Sequence, residues 1–155
     1  MVCSLLLGVA MSVCEVRDLV FANGFRARMP QAVCVTRVDN ADSTIYQFTL
    51  GPEAPPFLEA YDGNAADFFY FVPEGGVGKS DACNGTIHIN QVTRKTIIQI
   101  GGASETRDGR CGEVLIRRPA KNGAVSSAAL HFWYSRLTVE EEKLARGIID
   151  AVEAK

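Results

Sequence analysis

Five cysteines and two histidines are the residues of this chain best suited to covalent chemistry: Cys3, Cys14, Cys34, Cys83 and Cys111, with His88 and His131. A thiolate beside an imidazole makes a nucleophile, because the ring draws the thiol's proton and lowers its pKa. A hydrolase or thiol enzyme would therefore use Cys83 or Cys111 with His88 or His131. Spacing alone does not bring these residues together. The cysteines also suit one or two disulfides, and Cys83 with Cys111 is the favoured bridge, each opening a strand beside the same hairpin. The remaining alternative is buried free thiols packed as small hydrophobes. With no Cys-x-x-Cys and no close pair of histidines, the pattern assigns no metal ligands and calls for no cofactor.

Carboxylates near aromatics are the next candidates. Asp62, Asp67 and Glu53 lie close in sequence to Phe57, Tyr61, Phe68, Phe69 and Tyr70. An acid pair would need a cleft and a raised pKa, which spacing does not supply. The run Phe68 to Phe71 reads mainly as core. Because neighbouring strand residues point to opposite faces, at least one of the four is expected at the surface.

The stretch Glu74-Gly75-Gly76-Val77-Gly78-Lys79-Ser80 looks like the phosphate-binding loop of ATPases. That loop works when a helix follows and its N-terminus cradles phosphate. Here Pro73 stands where the first glycine would be, and Glu74 puts negative charge where phosphate would sit. A flexible glycine turn is the better reading.

The elements that must position these residues are mostly strands. Thr138 caps a helix with Glu141 completing a capping box, and Glu140, Glu141 and Glu142 favour the positive end of its dipole. Leu144, Ala145, Ile148, Ile149 and Val152 then fall on one face of a helix of about four turns. Ahead of it, Leu130, Phe132 and Tyr134 alternate with His131, Trp133 and Ser135, which reads as a central strand covered on both sides. Asn23-Gly24 signals a hairpin between Leu19–Ala22 and Phe25–Met29. Ala32–Val38 and Ser43–Leu50 follow as a meander. Prolines 52, 55 and 56 then interrupt the pattern before short apolar pieces at Phe57–Tyr61 and Phe68–Val72, with one helical turn expected at Asn64–Asp67. Thr86–Val92, Thr96–Ile100 and Gly112–Arg118 read as strands, and Gly101–Gly109 as a polar, mobile loop. The expected fold class is α+β: a mostly antiparallel curved sheet with one long C-terminal helix packed on a face.

At 155 residues the chain has the length of one domain with a real core. A formal charge of -2 with interspersed signs excludes a basic stripe, so nucleic acid is not the expected partner. Residues 1–13 read as a signal segment, with an N-terminal strand as the alternative, and residues 14–155 as a single domain. The apolar run Ser4–Val13 has secretory length and is too short to span a membrane. Export to a periplasm or the outside follows from a signal, a cytoplasmic location from a strand.

The start Phe25–Val35 and the end Leu130–Val152 resemble PsbP-like α/β proteins, small exported sandwiches. The resemblance is one of pattern over a minor part of the chain. It implies a binding or assembly role with no shared catalytic residues. The expected function is that of a small exported binding protein, an envelope assembly factor or an inhibitor of the immunity type, acting by contact with a protein partner. The binding surface is expected in the irregular middle, at Phe57, Tyr61, Phe69 and Tyr70, since loops on a rigid sheet carry recognition. The alternatives are the cysteine–histidine enzyme and a carrier of a small apolar ligand between sheet and helix.

Overall fold

The computed structural model describes residues 11–30, 32–63, 76–119, 121–122 and 128–154. Among these residues thirteen strands accompany one helix of twelve residues. The expected α+β class with a long helix is therefore corrected to a mostly β architecture built around one large antiparallel sheet.

In chain order the large sheet contains β1 (Ser12–Cys14), β4 (Cys34–Asp39), β5 (Ser43–Thr49), β6 (Leu58–Gly63), β9 (Asn90–Thr93), β10 (Ile98–Thr106), β11 (Gly109–Arg117) and β12 (Ala129–Leu137). Their order across the sheet is β1-β4-β5-β6-β12-β11-β10-β9, with every pair antiparallel. β12 is thus central, as its two sets of bulky residues require. β6 lies beside it, so the prolines at 52, 55 and 56 only delay a central strand, and the bend they make ends at Phe57.

Two smaller layers flank the sheet. β2 (Asp18–Val20), β3 (Phe25–Arg28) and β13 (Val152–Ala154) form a three-stranded sheet in the order β13-β3-β2. Asn23-Gly24 lies in the β2–β3 turn, with Gly24 at φ 81°, the left-handed conformation that glycine adopts without strain. Together with the helix α1 (Val139–Asp150), this sheet covers the first face of the large sheet. Phe21, Phe25, Ala27, Tyr46, Phe48, Leu58, Phe132, Ala145, Ile148 and Val152 fill the main core between them. β7 (Val77–Ser80) and β8 (Gly85–His88) form a hairpin on the second face, where Ile87 and Ile89 pack with Cys83, Cys111, Leu115 and Ala129.

Thr138 and Glu141 form the expected capping box at the start of α1. The far end differs: Ala151 closes the helix and Val152 enters β13, paired with Ala27. The free edge of β3 offers backbone partners that one more helical turn would leave unused. Two other expectations change. Thr86–Val92 is split between β8 and β9, on different sheets, with Ile89 buried at the crossing. Gly101–Gly109 is no loop for most of its length, because β10 runs to Thr106. Ser12 and Val13, the last positions of the expected signal segment apart from Cys14 beyond it, pair with Thr36 and Val35. No helix among the described residues is long and apolar enough to cross a membrane.

Candidate functional site: the second face of the large sheet

Antiparallel register puts side chains of neighbouring strands in rows, and alternation sends every second row to the same face. On the second face one row runs Thr36, Gln47, Glu59, Trp133, Glu113, Gly102. The adjacent row runs Val38, Ile45, Tyr61, His131, Leu115, Ile100. Polar and aromatic groups gather at the centre of the sheet, where apolar side chains would be the default.

They are tied together. The Glu59 carboxylate accepts from Gln47 Nε2 at 2.9 Å and from the Trp133 indole Nε1 at 3.0 Å. Trp133 lies 5.4 Å from the His131 ring, tilted by 36°. His131 Nε2 is 2.7 Å from Glu113 Oε1, with side chains 4% and 7% exposed, so the pair is withdrawn from water. The second oxygen of Glu113 is buried with no hydrogen-bond partner among the described residues. Such a group costs free energy where it stands, and a structure that keeps it calls for a reason. Gln47, Glu59, Tyr61 and Trp133 are all partly exposed, and the Tyr61 ring lies over Gly63.

Of the residues expected to bind, Tyr61 is the one described on this face. Phe57 is buried at 5% exposure in the main core, because its backbone N–H bonds to Phe48 and its side chain turns inward. It is corrected from a surface residue to a core one. Phe69 and Tyr70 lie outside the described residues, as do Asp67 and the expected helical turn at Asn64–Asp67.

Cys83 and Cys111 are joined in a disulfide, and so are Cys14 and Cys34. Both bridges are compatible with an exported, oxidising location. The bridge from Cys83 holds the turn between β7 and β8 against β11. His88 is exposed on β8, and His131 is engaged by Glu113. Val77–Ser80 is a strand that turns into β8, so the glycine stretch lacks the helix that a phosphate loop requires.

Asp62 lies on the opposite face from this row. It is 2% exposed and accepts from the backbone N–H of Asn23 at 2.9 Å and from the Asn23 side-chain amide, anchoring the β2–β3 turn. Burial raises its pKa, and the Asn23 donors pull it back down. Glu53 is exposed in the proline bend. The cleft between α1 and β9–β10, about 110 Å³ in volume, is lined by Asn90, Gln99, Tyr134, Arg146 and Asp150 among others. Burial first, then Glu142, pushes the Tyr134 phenol up to about 12. Val92, Ala103, Val114 and Ile149 share the lining, so the cleft is mixed in polarity, and its volume is well below that of a cavity for a sizeable ligand.

Gln47, Glu59 and Glu113 were not singled out by sequence reasoning. Their only local signal is a polar residue at alternate positions of strands otherwise rich in apolar ones. Comparison with protein-family models, curated proteins and solved structures finds no match to the chain.

Proposed function

We propose that this protein is exported and acts by binding a protein partner, as an assembly factor or inhibitor, through the second face of its large sheet. The observation that carries the reading is the partly exposed row of Gln47, Glu59 and Trp133 beside Tyr61, fixed on the central strands of a rigid sheet. Aromatic side chains with a polar handle supply much of the contact energy in protein interfaces. Their mutual hydrogen bonds hold them in place before a partner arrives, which lowers the entropy cost of association. The two disulfides support an oxidising location, and they occupy the thiols that a cysteine enzyme would need free.

The test is site-specific photo-crosslinking in an envelope extract of the source cells. A photoreactive residue at Tyr61 should give one discrete adduct, and the same residue at Lys143, exposed on α1, should not. No adduct from Tyr61, or equal adducts from both positions, would refute binding through this face.

A further inference from the structure

The row of the second face carries charge of one sign around its aromatic centre. Trp133 has Glu59 directly opposite on β6 and Glu113 directly opposite on β11. Arg117 faces the same way, two rows further along β11. The cations nearer on the chain are directed elsewhere: Arg110 to Glu142 and Glu105, and Arg37 to Asp39. An indole beside an accessible carboxylate attracts a cation twice, through the negative face of the ring and through a charge-assisted hydrogen bond. Glu113 is held by His131 and only 7% exposed, so Glu59, partly exposed beside the indole, is the carboxylate a docking cation reaches.

We infer that the partner places a basic side chain, arginine or lysine, at Trp133 beside Glu59. This rests on the reading that the second face is the docking surface. A guanidinium fits best, since its planar fork can stack on the indole while it donates to a carboxylate.

Trp133 is the sole tryptophan of the chain, so its fluorescence reports on this position alone. Capped hexaarginine titrated at low salt should change that fluorescence saturably, hexalysine more weakly, and hexaserine and hexaglutamate not at all. Raising the salt should weaken the response, as it does for exposed charges. Glu59→Gln keeps an acceptor for Trp133 and should weaken hexaarginine binding about tenfold. Glu140→Gln, an exposed charge at the start of α1, should leave it unchanged. The inference is overturned if hexaarginine leaves the fluorescence unmoved or acts no differently from hexaglutamate. Equal loss in Glu59→Gln and Glu140→Gln would overturn it as well. An adduct from Tyr61 that forms equally in wild type and Glu59→Gln and resists salt would keep the docking face and remove the basic side chain. Absence of both adduct and titration would remove both.

Discussion

His131 and Glu113 sit at 2.7 Å with almost no exposure, and each is costly without the other. A buried charge or donor left alone forfeits its solvation, whereas an apolar pair of similar size forfeits nothing. Glu113→Ala should therefore cost about 3 kcal/mol in urea unfolding, while Glu113→Leu with His131→Phe should recover most of it. Equal losses in the single and double variants would mean that packing, and not the pair, decides the site. Asp62 makes a pH-dependent case. Its folded pKa is raised above the ordinary 3.8, so the folded chain keeps the proton to higher pH than the unfolded chain does. The stabilising contribution is then present below about 3.8 and is lost as pH rises through the folded value. Asp62→Asn titrates in neither state, so its stability relative to wild type should improve as pH goes from acid to neutral. Urea midpoints measured across that range check this, and a constant difference would count against it.

At the scale of elements, glycines separate positions that tolerate a side chain from those that do not. A Cβ at Gly102 would lie 2.1 Å from the His88 carbonyl oxygen, because β8 crosses closely over β10. At Gly147, on the exposed side of α1, it would meet nothing within 4 Å. Gly102→Ala should thus destabilise by more than about 2 kcal/mol through backbone displacement. Gly147→Ala should stabilise by roughly 0.5–1 kcal/mol through helix propensity. Thermal or urea unfolding of the two variants reads both signs. The same glycines explain what was legible beforehand. Gly101-Gly102 looks like a loop in sequence because glycine's use here is close approach of backbones, which no local pattern announces. The helix start was legible because Thr138 and Glu141 act on their own neighbours, and the faces of β12 because alternation is local. The helix end was not legible, since β3, more than a hundred residues earlier in the chain, competes for Val152. The candidate site was the least legible part. Tyr61 and Trp133 were visible as large side chains, but the row that joins them to Gln47, Glu59 and Glu113 exists only once four strands are in register.

In the whole molecule the two disulfides do different work. Cys14–Cys34 fastens the edge strand β1 to β4, which it already pairs along three residues. Cys83–Cys111 fastens the β7–β8 hairpin to a sheet with which it shares no ladder. A two-stranded hairpin alone is marginal in water, so the packing of Ile87 and Ile89 and this bridge together hold it down. Closing a span of 28 residues contributes about 3.6 kcal/mol. Cys83→Ala with Cys111→Ala should then loosen the hairpin locally, below the threshold for global unfolding. Hydrogen exchange should quicken roughly 400-fold at the β7–β8 amides, at 1.4 kcal/mol per factor of ten, and hardly at all in β5, β6 and β12. Cys14→Ala with Cys34→Ala should instead act at β1 and spare the hairpin. If amides of Val77–His88 keep their protection without Cys83–Cys111, the apolar contacts alone hold that layer. If β12 loses protection along with them, the hairpin and the large sheet form one cooperative unit, and the second face is shaped by both.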